Sequence, residues 1–467
     1  MSGSPLRIAM FPRGIDGLFL PPARGVELLA LVARGAPEEA WARRVLGDER
    51  VLPYDLSRSD LGVYPATEDL LMHSDIHEVM ASSGTRGLFL SSSCTRGTRA
   101  WATRHGVRLI ATEYTHQRRF EDKIWFDRFL VRHGLPRPAG GPVTFGSAER
   151  WPVQGPAVVQ EPSSLGGEGT YFVRGPEDLD ALARRGALAR GSRYLVRELV
   201  DGSPYGITVF VTPAVVALST VRLQCYYPHE ATGGAHGHHH VFAGVQWIPT
   251  PDLPEELRRQ LDAIFLKLGD LLHARRFFGF ANVDFMVDTR GRVLLLECNP
   301  RMSAATPQLL ARPELLSGVA AGALFLEAFL GERTPAPPGT PARSPLPAAS
   351  YRGATLDIVS APRAPADGAR AAVVRRGFET GLYALEERGV RHLGPDVRQL
   401  PGDRELALFS YARPGQPCPP ETTLASAVSN LPLYGPRGEL LAPARELLEY
   451  FDYTDDRQGI RREETPG

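Results

Sequence analysis

The segment VDFMVDTRGRVLLLECNPR, residues 283–301, constrains the fold of this chain more than any other stretch of the sequence. Its alternating apolar residues and central glycine predict a β-hairpin that is buried on one face. If the turn is centred between Arg290 and Gly291, polar residues pair across the other face: Asn282 with Asn299, and Asp284 with Glu297, with Arg301 following on the same side. A buried hairpin that ends in charged and amide groups predicts a functional site at this end of a sheet.

The facing carboxylates of Asp284 and Glu297 predict a cation site. Carboxyl groups directly opposite each other on antiparallel strands have Cβ atoms about 5 Å apart, and they repel unless one is protonated or a cation lies between them. Carboxylate and amide oxygens suit Mg²⁺, which also takes ligands from substrate phosphates. The alternative is a register shifted by one residue, which would place Asp284 in solvent.

An acid on one strand, followed by Glu-x-Asn-Pro-Arg at the end of the next, resembles the ATP-grasp superfamily, whose members include biotin carboxylase, D-alanine:D-alanine ligase and the bacterial L-amino-acid ligases. The resemblance covers about residues 116–330. It implies that Asp284, Glu297 and Asn299 bind two Mg²⁺ ions, or Mn²⁺, on the phosphates of ATP. It also implies that Arg301 is catalytic and steadies an acyl-phosphate or tetrahedral intermediate.

The whole sequence predicts a fold of the α/β plus α+β class in several parts. Residues 1–115 alternate strands and helices, including a helix around residues 26–32, and this alternation predicts an open, mostly parallel α/β layer of the kind that precedes the ATP-grasp unit. The further boundaries are an ATP-grasp domain at 116–332 with a small mobile subdomain at about 150–212, a Pro-rich linker at 333–350, and a C-terminal α+β module at 351–467 that ends in a helix at LLAPARELLEYF.

Composition restricts the class of partner. The net charge is zero and the pI is about 7.2, so no polybasic surface for nucleic acid or an anionic membrane is expected. The sequence lacks an apolar run long enough for a membrane span and a signal-peptide core at its start, which predicts a cytoplasmic protein. Four widely spaced cysteines predict neither a disulfide framework nor a cysteine zinc site.

Lysine is rare, because only Lys123 and Lys267 occur among 53 basic residues. Lys267 lies in an amphipathic helical pattern and is expected to be solvated. Lys123, in FEDKIWFDRF, stands where the resemblance implies a lysine that reaches the ATP phosphates. The alternative for Lys123 is an ordinary surface position.

The segment QEPSSLGGEGTYFV predicts a strand, a loop of small residues and a second strand. Backbone N–H groups of such a loop can turn toward a polyphosphate, and many hairpin turns have a similar composition. The resemblance implies that this loop covers the ATP phosphates through Ser164, Gly166, Gly167 and Gly169.

Gln160 departs from the family, which usually has a lysine at this position facing the phosphates. The loss of that cation could weaken ATP binding unless an arginine of a neighbouring strand compensates. If the position lies beside the phosphates without another cation, Gln160→Lys is expected to tighten ATP binding.

The segment RELVDGSPYG resembles the strand that meets adenine. The resemblance implies that Glu198 and the backbone near Val200 contact the base. The acid that often follows the glycine in relatives, and binds ribose there, is missing.

Five of the twelve histidines lie in PHEATGGAHGHHHVF. His236, His238 and His240 have the spacing of one face of a strand, and three interpretations stay open: a transition-metal site, an exposed polar loop, or a flap over the active site. On the flap interpretation, His238 and His240 assist Arg301 in catalysis.

Together these features predict an ATP-dependent carboxylate–amine ligase that forms an amide through an acyl phosphate, acting on amino acids or small acids. The expected partners are small-molecule carboxylate and amine substrates, and the expected assembly is a homodimer. Two alternatives remain: a nucleotide-binding protein without ligase turnover, suggested by Gln160 and the missing ribose acid, and a ligase whose acceptor is a thiol or bicarbonate.

Overall fold

The computed structural model describes residues 5–11, 25–56, 66–91, 94–146, 151–164, 169–227, 241–330, 341–360, 372–386, 389–397, 402, 404–418 and 422–453. Its first part is a parallel sheet in the order β3-β2-β1-β4-β5. The elements of this part are β1 (Leu6–Met10), β2 (Val26–Ala33), α1 (Pro37–Leu46), β3 (Val51–Tyr54), α2 (Thr67–Met72), α3 (Ile76–Ser82), β4 (Gly87–Phe89), α4 (Arg96–His105) and β5 (Arg108–Ile110).

The helix predicted around residues 26–32 is wrong, because this segment forms strand β2. Its sequence, VELLALVA, is almost uniformly apolar, which is typical of a parallel strand buried on both faces and is easily mistaken for a buried helix. Gly25 and Gly35 bound it with φ angles of 79° and 70°, so the chain turns at both ends of an eight-residue strand.

A small antiparallel sheet in the order β6-β9-β7-β8 follows two helices. The elements are α5 (Tyr114–Glu121), α6 (Lys123–Arg132), β6 (Gly140–Thr144), β7 (Ala157–Gln160), β8 (Thr170–Val173), α7 (Pro176–Arg184) and β9 (Arg193–Glu198). The sheet therefore spans residues 140–198 rather than about 150–212, because the chain after β9 enters a second, larger sheet.

The large sheet has twelve strands. Ten of them follow the order β15-β14-β10-β12-β13-β17-β23-β21-β19-β20, while β11 pairs with β10 and β16 pairs with β11. Its first half contains β10 (Gly202–Val211), β11 (Val215–Leu218), β12 (Arg222–Tyr226), β13 (Phe242–Trp247), β14 (Gly279–Asp288) and β15 (Val293–Asn299). The helices of this region are α8 (Glu255–Ala274), α9 (Thr306–Ala311) and α10 (Ala321–Leu330). Its second half contains β17 (Ala354–Val359), β19 (Gly381–Glu386), β20 (Gly389–Gly394), β21 (Glu405–Ser410) and β23 (Thr423–Ser429), whereas β16 (Ala342–Ser344) belongs to the first half.

The second half continues the first without a break, because β17 pairs with β13. The described part of the predicted linker is also structured, since β16 pairs with β11. A short pair of strands, β18 (Ala372–Val373) and β22 (Pro417–Cys418), and the helix α11 (Ala442–Tyr450) complete the C-terminal part. The helix lies where the sequence predicted one.

The first half of the large sheet buries one face against α6 and α8. This core includes Phe126, Leu130, Leu261, Phe265 and Phe285, all at most 1% exposed. The opposite face carries polar side chains on β15, β14, β10 and β12. Among the helices in the described part of the chain, none has both the length and the apolar composition required to cross a bilayer.

Candidate active site on the large sheet

The hairpin of β14 and β15 pairs the polar residues as the sequence predicted. Asp284 lies opposite Glu297 and Asn282 lies opposite Asn299, so the shifted register that would place Asp284 in solvent is excluded. The turn, however, is centred on Arg290 itself, because the N–H of Asp288 donates to the carbonyl of Arg292 at 3.1 Å.

A β-bulge restores the predicted pairing. Phe285 pairs with Leu295 while Asp284 pairs with Glu297, which leaves Leu296 as the extra residue on β15. The bulge also reverses the alternation of faces, so that Leu295 and Cys298 both lie in the core. The polar end of β15 therefore faces the opposite side of the sheet.

The two carboxyl groups share an amide donor. Asn299 Nδ2 lies 3.2 Å from Asp284 Oδ2 and 3.4 Å from Glu297 Oε1, and the Gln224 amide donates to Asp284 Oδ1. Burial and the nearby Glu297 carboxylate raise the pKa of Asp284 well above its usual value. Burial acts to raise the pKa of Glu297 as well, but the Lys123 ammonium and neighbouring donors outweigh it and lower that pKa.

Lys123 joins the hairpin to the loop after β7. It is the first residue of α6, whose N-cap Asp122 accepts from the N–H of Trp125 at 2.8 Å. Its ammonium lies 3.4 Å from Glu297 Oε2, and 3.1 Å and 3.2 Å from the carbonyl and hydroxyl oxygens of Ser164. With a side chain only 5% exposed, Lys123 is not an ordinary surface lysine.

Arg301 lies at the edge of the same cluster with its side chain 22% exposed. Its Nε donates to Glu121 Oε1 at 3.1 Å, and its Nη2 donates to Asn299 Oδ1 at 3.2 Å. The guanidinium is therefore held beside the carboxyl pair, as the sequence predicted, but Glu121 is a partner that sequence reasoning missed.

A buried polar network underlies the cluster. Asn282 Oδ1 accepts from Thr208 Oγ1 at 2.7 Å and from Arg222 Nη2 at 2.9 Å, and its amide nitrogen donates to the carbonyl of Arg301. Burial lowers the pKa of Arg222 to about 10, so Arg222 remains a cation at neutral pH and attracts Asp284. Arg222 and Gln224 also went unnoticed in the sequence, although their spacing of two residues places them on one face of β12.

Gln160 has an arginine beside it. Arg197 of β9 donates from Nη2 to Gln160 Oε1 at 2.6 Å, and Gln160 Nε2 lies 3.4 Å from Thr170 Oγ1. An arginine of a neighbouring strand therefore lies beside Gln160, the residue found where the resemblance implies a lysine.

The structure describes only some of the remaining residues that were predicted for the nucleotide site and the flap. Glu198 Oε1 accepts from the backbone N–H of Ala139 at 3.1 Å, and Val200 follows it, half-buried. Gly169 has a φ of 61° and its carbonyl accepts from the N–H of Glu161 at 2.8 Å. The other predicted residues of the loop and flap lie outside the described residues: Gly166, Gly167, His236, His238 and His240.

The donor set fits Mg²⁺ that is shared with phosphate oxygens. Two carboxylates and one amide leave room for ligands from a nucleotide, and within the described ranges no cluster of three or more His, Cys, Asp or Glu residues forms a closed metal cage. The Asn299 nitrogen faces both carboxylates, and rotating the amide by half a turn would present its oxygen instead.

No protein-family model matches the sequence. The large chain of carbamoyl phosphate synthase from Thermomicrobium roseum is 27% identical over 212 residues, which are 44% of this chain but only 18% of that relative. The chain thus spans less than a fifth of the curated relative that it matches.

Solved structures are similar over almost the whole chain. Biotin carboxylase from Campylobacter jejuni, solved as a β-γ-ATP complex, has a TM-score of 0.59 at 12% identity. The match covers 91% of this chain and 86% of the biotin carboxylase chain. The biotin carboxylase domain of 2-oxoglutarate carboxylase from Hydrogenobacter thermophilus gives the same values. N5-carboxyaminoimidazole synthase from Aspergillus clavatus has a TM-score of 0.51 at 11% identity, covering 92% and 94%.

Proposed function

Because this chain has the ATP-grasp fold, we propose that it is an ATP-dependent carboxylate–amine ligase that produces an amide, ADP and phosphate. One observation carries the proposal: Lys123, Asp284, Glu297, Asn299 and Arg301 meet on one face of the large sheet. A protein that only binds a nucleotide has little need of an arginine held beside the carboxyl pair.

Lys123 and the loop after β7 form the proposed phosphate site. Lys123 already contacts Ser164 of this loop, so a phosphate that enters between them meets an ammonium and a hydroxyl group. We assign Gly166, Gly167 and Gly169 to the same loop, Gln160 to its flank, and Glu198 and Val200 to adenine. The Glu198 carboxylate is bound to Ala139, so backbone groups are the more accessible contacts for the base.

Asp284, Glu297 and Asn299 are the proposed ligands of two Mg²⁺ ions, which Mn²⁺ can replace. Ions bound there would supply positive charge that offsets the negative charge of the phosphate oxygens. Lys123 adds a further positive charge on the same side, and phosphoryl transfer depends mainly on such positioning and electrostatic stabilisation.

The proposed reaction has two steps. A carboxylate oxygen of the first substrate attacks the γ-phosphorus of ATP, and the bond to the ADP oxygen breaks to give an acyl phosphate. The amine nitrogen then attacks the acyl carbon, loses a proton, and phosphate leaves. Arg301, assisted by His238 or His240, stabilises the oxyanion of the second step.

Amino acids or small acids are the proposed substrate class, from the resemblance to L-amino-acid ligases. A second candidate is supported by the solved structures, since a biotin carboxylase domain of this fold has been solved bound to bicarbonate. In that case bicarbonate is the acid that ATP activates. We further propose that the chain forms a homodimer, because the biotin carboxylase domain from Hydrogenobacter thermophilus was solved as a dimer. We propose that it acts in the cytoplasm, as the sequence predicts.

Phosphate release from Mg-ATP tests these candidates directly. The full chain is incubated with pairs of amino acids, with single acids and amines, and with bicarbonate plus each amine. Release that requires both an acid and an amine supports the amide ligase, with the product identified by mass spectrometry. Release with bicarbonate alone favours the carboxylase-like reaction, and tight ATP binding without release under any condition supports a nucleotide-binding protein.

A further inference from the structure

Arg197 connects the small sheet to the hairpin of β14 and β15. The residue is only 3% exposed. Its guanidinium donates from Nη2 to Gln160 Oε1 on β7 at 2.6 Å and from Nη1 to the carbonyl oxygen of Leu296 on β15 at 2.9 Å. A single side chain therefore spans three strands, two in the small sheet and one at the edge of the large sheet.

The carbonyl that Arg197 binds belongs to the bulge. Leu296 is the extra residue of β15, and without it Glu297 would not lie opposite Asp284. The preceding residue is held in a similar way, because the N–H of Leu295 donates to the carbonyl of Pro136 at 3.0 Å. Backbone groups on the outer side of this edge strand are thus bound by the chain around the small sheet.

The charges around Arg197 alternate. The carboxylates of Asp127 and Glu297 both attract the guanidinium, and Glu297 in turn pairs with Lys123. Asp127 also lies 3.2 Å from Arg137 Nη1. Removal of the Arg197 cation would leave buried carboxylates with less compensating charge, which is costly in a protein interior.

We propose that Arg197 is a positioning residue for the metal site: by binding Gln160 and the bulge carbonyl of Leu296, it fixes Glu297 opposite Asp284 and ties the small sheet to the hairpin. This inference rests on the proposed function, since it concerns the same metal ligands. It assigns to the Gln160–Arg197 pair a structural task that a lysine at position 160 could not perform, because an ammonium has no acceptor for the Arg197 guanidinium.

Mn²⁺ binding tests the proposal independently of turnover. Arg197→Met removes both hydrogen bonds, and Arg197→Lys keeps the charge without the planar fork. Arg193→Met is the matched control, since Arg193 lies on the same strand but is exposed. Mn²⁺ affinity is measured by electron paramagnetic resonance with ADP present, and ADP affinity is measured without metal.

We expect Arg197→Met to weaken Mn²⁺ binding about 10- to 100-fold, the range for partners that orient metal ligands, with Arg197→Lys between it and the wild type. ADP affinity without metal should stay within about threefold, and Arg193→Met should match the wild type. If both Arg197→Lys and Arg197→Met keep the wild-type Mn²⁺ affinity, this inference is overturned while the proposed function is not. If Arg197→Met does not fold, Arg197→Lys decides by the same criterion. A wild type that binds neither ADP nor Mn²⁺ overturns the proposed function and this inference with it.

Discussion

The substitution Gln160→Lys tests whether Arg197 already supplies the positive charge that a lysine at position 160 would add. Its expected effect follows from the 2.6 Å contact between Gln160 Oε1 and Arg197 Nη2. A lysine removes this acceptor and introduces an ammonium beside a buried guanidinium. In the sequence alone, the same substitution was expected to restore a missing cation.

Two effects of Gln160→Lys act in the same direction. The lost hydrogen bond to a charged group is worth about 1.5–3 kcal/mol. Two like charges about 4 Å apart repel by about 4 kcal/mol at an effective dielectric constant of about 20, and movement of the flexible lysine relieves part of this. We expect the free energy of unfolding to fall by about 2–4 kcal/mol.

Urea unfolding at pH 7 measures this change, with Gln160→Met as the control that removes the amide without adding charge. The lysine variant should be the less stable of the two. Its ATP dissociation constant should stay within about threefold of the wild type, because repulsion from Arg197 opposes the gain from any phosphate contact. If Gln160→Lys is as stable as Gln160→Met and binds ATP about ten times more tightly than the wild type, the reasoning is refuted. That result would show that Arg197 does not supply positive charge at this position.

Three further substitutions test other parts of the site and fold. Glu297→Gln should lower turnover at least about 100-fold with the fold retained, because it removes a charge at the proposed metal site; near-normal phosphate release would contradict that assignment. Arg301→Ala should lower turnover far more than nucleotide affinity, and equal losses would mean a structural role. Burial raises the pKa of Asp357 to about 6 from its usual 3.8. The folded protein therefore binds the proton more strongly and loses stability as pH rises from about 4 to 6. Asp357→Asn should be about 1–3 kcal/mol more stable than the wild type at pH 7 and should match it at about pH 3 in denaturant titrations.

The pairing of Asp284 with Glu297 could be predicted from sequence, although the reason was incomplete. The assumed turn centre was off by half a residue, and the bulge at Leu296 shifted the register back by one position. Turn signals indicate a hairpin, but nothing in VLLLECN marks which residue is the extra one. The predicted pairing is nevertheless correct, because the error in the turn centre and the one-residue bulge compensate each other.

Two features could not be read from the sequence for physical reasons. The β2 segment has no alternation, because both its faces are buried, so periodicity does not separate strand from helix. Arg197 is one of many arginines, and its importance arises from contacts with β7 and β15 that lie far from it in sequence. Lys123 was recognised because lysine is rare in this chain, a signal that no arginine could provide.

The ladder between β13 and β17 determines how this chain can be shortened. Gln246 pairs with Ala354 in that ladder, and its side-chain oxygen accepts from the N–H groups of Leu433 at 3.0 Å and Tyr434 at 3.3 Å. Truncation before β17 would expose the hydrogen-bonding edge of a central strand and leave a buried amide unsatisfied, which invites edge-to-edge aggregation. The C-terminal region is therefore part of the minimal folding unit, and a shorter fragment would require a redesigned edge at β13.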